Sequence, residues 1–216
     1  MISHKHGCIF VEVPKTGSSS FRTIFGYPPK PHLNIVQIKN KLENDWTHYG
    51  GFQNKLISSI YILIPYKYRK HWGRKQFNIY FKFGFVRNPW DRVVSLYHRR
   101  EGLQLMDKMS FEDFVHWIKY SSSTCIHPVP QTNQLDWFVD PHGNLLVDYI
   151  GKFENLEDDW KHISRKLGIN MELPHVNKNP RKNRHYTEFY SEETRDIIRR
   201  KFSIDIEYFD YRFGDN

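Results

Sequence analysis

The residues best suited to chemistry follow a short apolar run near the start of the chain. They are small, hydroxyl-bearing or basic, and they are Pro14, Lys15, Thr16, Gly17, Ser18, Ser19 and Ser20. Gly17 lets the backbone take a positive φ angle, so that successive amides can point at one anion. Lys15 adds a mobile positive charge, and the hydroxyl groups add hydrogen-bond donors. The segment predicts an anion-binding loop, although an ordinary turn whose serines cap a helix has the same composition.

This loop lacks the residue order of the magnesium-dependent nucleotide triphosphatases. Their Gly-x-x-x-x-Gly-Lys-Ser/Thr pattern places the lysine after the second glycine, whereas Lys15 precedes Gly17. A nucleotide kinase of that type is therefore disfavoured. The sequence also contains no His-Glu-x-x-His or paired Cys-x-x-Cys motif, so it indicates no requirement for a metal ion.

A second group of polar residues follows the clearest strand pattern in the chain. Arg87 comes directly after the apolar run, Asn88 is placed to cap a helix, and Pro89 suits its first position. The planar guanidinium of Arg87 suits bidentate contact with a phosphate. Ser95 lies about two turns into the helix, and Arg92 lies three residues before it. Alternatively, Arg92 is a surface ion-pair partner and Ser95 a solvated helical serine.

Two anion-suited junctions in one chain are stronger evidence than either junction alone. Ligands of α/β proteins collect beyond the carboxyl ends of parallel strands, where both junctions would lie. The pair therefore predicts a ligand that carries two separated anionic groups.

Three apolar runs, at residues 8–13, 79–86 and 145–153, predict the strands that end at or near these sites. The second run alternates, and one of its faces consists of Ile79, Phe81, Phe83 and Phe85. Residues 45–76 mix apolar and basic side chains around Pro65 and are interpreted as a helix, a break and a solvated basic segment.

Apolar residues at helical spacing predict the helices. In chain order these residues are Phe21, Ile24, Phe25, Ile35, Ile38, Leu42, Val93, Leu96, Tyr97, Phe111, Phe114, Val115, Ile118, Leu156, Trp160, Ile163, Leu167, Ile197 and Ile198. Gly26 and Gly168 are placed to end two of the helices. Ser110 and Ser191 are placed to begin two others, and Asp91 predicts a capping box with the Asn88 cap. Three tryptophans are expected in the core: Trp90, Trp117 and Trp160.

This alternation predicts an α/β fold whose central parallel sheet is flanked by helices on both faces. Residues 1–216 contain no internal repeat and no linker, so we expect one domain. The net charge of +8 and the pI of about 9.3 favour an anionic partner. Cys8 and Cys125 imply no disulfide framework, and Cys8 suits an inert buried thiol. Without a signal peptide pattern or an apolar run of about 20 residues, we expect a soluble, cytoplasmic protein with no transmembrane segment.

Both junctions resemble those of sulfotransferases that use 3′-phosphoadenylyl sulfate (PAPS). Residues 10–21 look like the 5′-phosphosulfate loop of that family, and residues 83–97 look like its 3′-phosphate segment. Residues 151–156 and 173–177 are similar to later landmarks of the branch that contains carbohydrate sulfotransferases and their bacterial relatives. The resemblance spans most of the chain and implies a P-loop-NTPase-like domain.

The resemblance also implies roles for the residues of both junctions. Lys15 would contact the bridging oxygen and the transferred sulfuryl group, and residues 16–20 would hold the 5′-phosphate. Arg87 and Ser95 would bind the 3′-phosphate. Glu12 departs from the histidine that relatives commonly carry, which removes one possible polar contact near the site.

A basic run at residues 177–184, which includes Asn177 and Lys178, is predicted to close over the nucleotide or to grip an acidic acceptor. The alternative is a solvated loop. We place Asn177 and Lys178 among the cofactor-binding candidates.

Sulfuryl transfer to a hydroxyl needs a base that takes the proton, and histidine suits this role. His32 is the first candidate, because it follows the loop helix and resembles a histidine position of the bacterial relatives. His48 is the second. Glu12 is a third, since burial would raise the pKa of its carboxyl unless it pairs with a lysine. A solvated loop histidine is the alternative for His32.

The leading hypothesis is a sulfotransferase that moves a sulfuryl group from PAPS to a hydroxyl of a saccharide or related small molecule, leaving adenosine 3′,5′-bisphosphate. The competing hypothesis is a non-catalytic basic domain that binds nucleic acid or an anionic glycan. A nucleic-acid partner is disfavoured, because the sequence shows no known reading motif. The acceptor pocket is expected within residues 27–76 and 103–140.

Overall fold

The computed structural model describes residues 1–26, 32–44, 65–98, 109–120, 133–174 and 184–215. In these ranges the strands are β1 (Ile2–Ser3), β2 (Cys8–Val11), β3 (Phe81–Val86) and β4 (Tyr149–Lys152). They form one sheet in the order β1-β2-β3-β4. β1 is antiparallel to β2, whereas β2, β3 and β4 are parallel to one another. The prediction of an α/β fold with a central parallel sheet is confirmed, and the two-residue strand β1 adds an antiparallel edge.

The helices of the described residues surround this sheet. They are α1 (Ser18–Phe25), α2 (Ile35–Asn44), α3 (Tyr66–Ile79), α4 (Pro89–Tyr97), α5 (Phe111–Tyr120), α6 (Leu156–Leu167), α7 (Glu192–Lys201) and α8 (Ser203–Tyr208). Short 3₁₀ helices occupy Leu135–Trp137, Phe153–Asn155 and Tyr186–Phe189. None of the helices in these ranges is both long enough and apolar enough to span a membrane.

Both faces of the sheet are buried, as expected for parallel strands with helices on each side. One face carries an aromatic cluster, in which Phe21 of α1 stacks on Phe85 of β3 with ring centroids 4.9 Å apart. The other face packs Ile9 and Val11 of β2 against Leu42 of α2 and against Trp137. Cys8 lies in the sheet and is 1% exposed, and burial raises the pKa of its thiol to about 12. The expectation of a buried, unreactive thiol at Cys8 is consistent with this setting.

The helix signals at several termini are confirmed. Gly26 and Gly168 end α1 and α6 in the left-handed conformation. Ser191 caps α7 by accepting a hydrogen bond from the Thr194 amide, and Ser110 accepts one from the Asp113 amide at the start of α5. These signals succeed because a cap depends only on residues within one turn.

The described part of the basic segment before β3 is a helix, which the prediction of a solvated stretch did not include, although Lys67, Arg74 and Lys75 are exposed as expected. α3 packs against α2 through Gly73, where a Cβ atom would lie 2.0 Å from the Leu42 carbonyl oxygen. Phe77, one turn later, is buried beside it. Because glycine carries no apolar side chain, the spacing of apolar residues does not reveal the buried side of this helix.

Strand β3 begins at Phe81, two residues later than predicted. Ile79 ends α3 and is 67% exposed, so it does not share a sheet face with Phe81. The prediction that residues 145–153 form one strand is also too long, since β4 covers only Tyr149–Lys152. Leu145 instead forms an isolated antiparallel bridge with Val139.

Two further expectations are corrected by the structure. Asp91 does not complete a capping box with Asn88, because its carboxylate accepts a hydrogen bond from Arg87 at 2.6 Å. Asn88 does cap α4, by accepting from the Trp90 amide. Trp90 and Trp160 are buried as expected, but Trp117 is 40% exposed on α5.

Candidate functional site

The loop between β2 and α1 curls back on itself at two residues with positive φ. Lys15 has a φ angle of 72°, and Gly17 has one of 88°. The hydroxyl groups of Thr16 and Ser18 both donate to the Val13 carbonyl oxygen, at 2.9 and 3.3 Å. The φ angle is positive at Lys15 and Gly17 but not at Thr16 between them. Such an alternation of φ along the backbone forms a concave surface suited to an anion.

Helix α1 begins directly on this loop. Its first residues are Ser18, Ser19 and Ser20, all partly exposed, and Gly17 at the N-cap carries no side chain that could cap them. The first-turn amides and the positive end of the helix dipole therefore face the loop. Phe21, fully buried on the sheet, fixes the helix in this position. The predicted anion-binding loop has the geometry that such a site needs.

The second junction lies between β3 and α4, and its arginine reaches the first. Arg87 is 5% exposed, and its Nε donates to Asp91 at 2.6 Å. Its Nη1 donates to the Lys15 carbonyl oxygen at 3.1 Å. The guanidinium also lies over the Phe153 ring, 4.1 Å from the centroid. The structure thus brings the two predicted junctions together at the carboxyl ends of neighbouring parallel strands.

Arg92 is a second link between the two junctions. It is 2% exposed, and its Nε donates to the Pro14 carbonyl oxygen at 3.1 Å. The alternative of a surface ion-pair partner for Arg92 is therefore wrong. Ser95, one turn later on α4, is partly exposed. These contacts link the candidate residues Pro14, Lys15 and Arg87, and Ser95 lies on the same helix as Arg92.

His32 lies beside the loop, as the first candidate for a base would have to. Its Nδ1 is 2.8 Å from the Glu12 carbonyl oxygen, and its ring stands edge-on to Trp137 with centroids 6.2 Å apart. A carbonyl oxygen only accepts hydrogen bonds, so this contact requires a proton on Nδ1. The neutral ring then carries its lone pair on Nε2, the form that a general base needs.

Glu12, the third candidate for a base, is already engaged in an ion pair. Its carboxylate is buried and lies 2.7 Å from the Nε of Arg22 on α1. The partner is thus an arginine rather than the expected lysine. This ion pair fixes the end of the strand against α1.

Three polar residues that sequence reasoning missed support the second junction from distant parts of the chain. The Gln134 side chain brackets the Arg87 backbone, accepting from its amide at 2.9 Å and donating to its carbonyl at 2.7 Å. Asp205 accepts from the amides of Gln134 and Leu135. Glu154 accepts from the Asn88 amide at 2.7 Å. No local pattern marks these residues, because each contact joins segments far apart in the chain.

Two of these supporting carboxyl groups lie beside the arginines, and Asp205 is buried whereas Glu154 is partly buried. Burial raises the pKa of Glu154, although hydrogen bonds from Asn88 and Tyr211 and the charge of Arg87 oppose the shift. Burial likewise raises the pKa of Asp205, and amide hydrogen bonds and the charge of Arg92 oppose it. The hydrogen-bond donors and the arginine charges therefore replace part of the solvation that each carboxylate loses on burial.

Three of the predicted site residues, His48, Asn177 and Lys178, lie outside the described residues. Among the residues that are described, one group has the donors for a metal ion, namely Glu112, His116 and Glu193 on α5 and α7. The arrangement of Lys15, the loop amides and Arg87 can hold an anion of two separated charges and stabilise a leaving phosphate. His32 can accept a proton nearby.

Comparison with known proteins identifies relatives of this chain. An uncharacterized protein of Archaeoglobus fulgidus is 37% identical over 109 residues, covering 49% of this chain and 82% of that protein. Carbohydrate sulfotransferase 10 of Xenopus laevis is 22% identical over 197 residues, covering 78% of this chain and 52% of the relative. Carbohydrate sulfotransferase 9 of Homo sapiens is 24% identical over 209 residues, covering 82% and 42%. This chain spans about half the length of these two carbohydrate sulfotransferases.

No solved structure matches the chain. A sequence profile of the sulfotransferase family, however, matches residues 1–212 and so includes both junctions, His32 and the supporting carboxylates. This match confirms the resemblance that the two loop segments carry. The chain belongs to the sulfotransferase family.

Proposed function

We propose that this protein transfers a sulfuryl group from PAPS to an acceptor hydroxyl on a saccharide or related small molecule. Family membership supports sulfuryl transfer, and the names of the two carbohydrate sulfotransferases support a saccharide acceptor. The observation that carries the proposal is the hydrogen bond from Arg87 to the Lys15 carbonyl. This hydrogen bond joins the two anion-suited junctions, which supports one site for a nucleotide that carries both a 5′-phosphate and a 3′-phosphate.

The proposed binding roles follow from the positions of the donors. The loop amides of residues 16–20 hold the 5′-phosphate together with the Ser19 and Ser20 hydroxyls, because they surround the start of α1. Thr16 and Ser18 act through their amides, since both of their hydroxyls already donate to the Val13 carbonyl oxygen. Arg87 and Ser95 hold the 3′-phosphate at the second junction. The buried ion pair with Asp91 keeps the Arg87 guanidinium in one orientation, so little freedom is lost on binding.

The proposed reaction is an in-line transfer without a covalent enzyme intermediate. The acceptor oxygen forms a bond to sulfur while the bond from sulfur to the 5′-phosphate oxygen breaks. Lys15 stabilises the negative charge that develops on that leaving oxygen. The acceptor proton passes to Nε2 of His32, and adenosine 3′,5′-bisphosphate leaves. The cationic groups of the chain supply the charge in this scheme, so it requires no metal ion.

Isothermal titration calorimetry with adenosine 3′,5′-bisphosphate tests the binding half of the proposal. We expect binding that weakens when the ligand is replaced by adenosine 5′-monophosphate, which lacks the 3′-phosphate. Ser95→Ala should reduce this preference, whereas Ser203→Ala on α8 should leave it unchanged. If wild-type protein shows no binding at millimolar adenosine 3′,5′-bisphosphate, the proposal is wrong.

Substitution of His32 tests the chemical half. His32→Asn retains a donor for the Glu12 carbonyl but removes the base, so turnover should fall by about 10²- to 10⁴-fold. Binding of adenosine 3′,5′-bisphosphate should stay the same. The measurement is transfer of labelled sulfate from PAPS to a panel of saccharides, with His142→Asn on an exposed turn as the control. Full turnover by His32→Asn would assign the base to another residue, with His48 the next candidate.

A further inference from the structure

Three consecutive carbonyl groups of the loop are held from within the protein. Val13 accepts from Thr16 and Ser18, Pro14 accepts from Arg92, and Lys15 accepts from Arg87. The two arginine contacts are both 3.1 Å long. Arg87 lies between β3 and α4, Arg92 lies in α4, and both arginines are almost fully buried. The backbone of the loop is therefore anchored to the second junction at two successive peptide groups.

These two peptide groups are the ones on either side of Lys15. The φ angle of a residue is set by the peptide plane before it and the ψ angle by the plane after it. Arg92 holds the plane before Lys15, and Arg87 holds the plane after it. Lys15 has a φ of 72°, which costs a residue with a side chain about 1–2 kcal/mol. Such a conformation persists only where the surroundings determine it, and here two arginines do so.

The same contacts decide where the amides point. In a trans peptide the N–H group is directed opposite to the carbonyl, and the peptide bonds of this loop are trans. With the Pro14 carbonyl turned towards Arg92, the Lys15 amide points away from that buried side chain. With the Lys15 carbonyl turned towards Arg87, the Thr16 amide points away likewise. Both N–H groups are thereby presented on the side of the loop opposite to their arginine.

We propose that Arg92 is a positioning residue, which sets the Lys15 amide and side chain for the 5′-end of the donor nucleotide without touching that nucleotide. Arg92 suits this role because it is 2% exposed and its Nε is committed to the Pro14 carbonyl. The assignment rests on the proposed function for its ligand, but the peptide orientation belongs to the protein itself. Loss of Arg92 would let Lys15 relax towards negative φ and turn its amide out of the site.

The test compares two ligands that differ only in the 5′-phosphate. Adenosine 3′,5′-bisphosphate and adenosine 3′-monophosphate are titrated into wild type, Arg92→Met, Arg92→Lys and the control Arg199→Met, whose arginine is exposed on α7. The ratio of the two affinities measures what the loop contributes. In Arg92→Met this ratio should fall about tenfold, with the affinity for the 3′-monophosphate unchanged. Arg92→Lys keeps a donor and should recover part of the ratio.

A merely structural role would weaken both ligands together and lower the thermal midpoint, so equal losses for the two ligands would overturn the proposal. An unchanged ratio in Arg92→Met would overturn it too. If Arg92→Met does not fold, Arg92→Lys and wild type provide the same comparison. Should wild type bind neither nucleotide, the proposed function fails, and the amide resonances of Lys15 and Thr16 decide the peptide orientation alone. They should move in the ligand-free Arg92 variants and stay in place in Arg199→Met; coincident spectra would refute the assignment.

Discussion

The two strand–helix junctions look alike in sequence, but they are built in opposite ways. At the first, small residues leave the backbone to form the site, with positive φ at Lys15 and Gly17. At the second, long charged side chains are buried and mutually paired, and Arg87 contacts both Asp91 and the first loop. The difference teaches that the first junction presents backbone donors, whereas buried side chains of the second junction hold that backbone in place. A strained loop of small residues needs such a support.

We expect the largest effect, on both stability and binding, from substitution of Arg87, the central cation of the second junction. Arg87→Met leaves Asp91 buried without its partner, which should lower the free energy of unfolding by about 3–5 kcal/mol. The double substitution Arg87→Met with Asp91→Leu removes both charges and should regain most of this loss. Urea denaturation measures stability, and calorimetry with adenosine 3′,5′-bisphosphate measures binding.

The double variant separates the stability of the second junction from its part in binding. It should fold and still fail to bind the bisphosphate, because the cation proposed for the 3′-phosphate and the contact with the Lys15 carbonyl are both absent. If it binds like wild type, Arg87 neither recognises the ligand nor sets the loop for it. If the single variant is as stable as wild type, the buried pair does not hold the junction together.

Lys15→Ala addresses the first junction and should have the next largest effect. Removing one preorganised group that stabilises the developing charge typically lowers kcat by about 10²- to 10³-fold. Stability should be unchanged or slightly altered, since the side chain is partly exposed. The assay is sulfate transfer from labelled PAPS, with Lys5→Ala on an exposed turn as the control. Turnover equal to that of wild type would remove Lys15 from the chemistry.

Gly17→Ala tests whether the loop depends on its backbone shape. Gly17 has a φ of 88°, and a Cβ there would lie 3.2 Å from Leu156 and 3.4 Å from Phe153. The positive φ alone should lower the free energy of unfolding by about 1–2 kcal/mol. Gly168→Ala is a matched control, because Gly168 has a φ of 65° and no atom within 4 Å of its Cβ position.

Both glycine variants should lose stability, but only Gly17→Ala should lose affinity for adenosine 3′,5′-bisphosphate. Equal affinities in the two variants would show that the loop adapts to a side chain. The backbone of the first junction would then contribute less to binding than its geometry indicates.

The sequence carried much of the information about the first junction and little about the second. The loop is encoded within eight residues, since Pro14, Gly17 and the serines act on their own backbone. The helix termini at Asn88 and Ser191 are equally local. Arg92 was open to interpretation as a surface residue, because nothing near it in the chain reveals that Pro14 covers it.

The supporting residues could not be predicted because their partners lie far away in sequence. Gln134 contacts Arg87 across 47 residues, Asn88 reaches Glu154 across 66, and Gln134 reaches Asp205 across 71. Helix α3 was not predicted for a related reason. It packs closely against α2 at Gly73, where a side chain would not fit, and a glycine gives no apolar signal in the sequence.

The smallest effect concerns the pH dependence of the second junction. Burial raises the pKa of Glu154 in the folded protein, so the folded state binds a proton more tightly than the unfolded state does. Stability from this group should therefore decrease as the pH rises from the ordinary pKa of a glutamate, about 4.3, through the raised value. At the first junction the buried carboxylate of Glu12 is paired with Arg22, so the dependence expected from Glu154 concerns the support at the second junction.

Glu154→Gln should flatten the decrease without disturbing the geometry. A glutamine oxygen can still accept from the Asn88 amide, and its nitrogen can donate to the Tyr211 hydroxyl, which now donates to Glu154 at 3.2 Å. Urea midpoints of both proteins at half-unit steps from pH 4 to pH 7 give the difference curve, in which contributions from Asp205 and other groups cancel. The difference should favour Glu154→Gln increasingly as the pH rises. A level difference curve would mean that the hydrogen bonds and burial cancel. A curve that rises in favour of wild type would mean that the hydrogen bonds outweigh burial and that the carboxylate stabilises the second junction in its charged form.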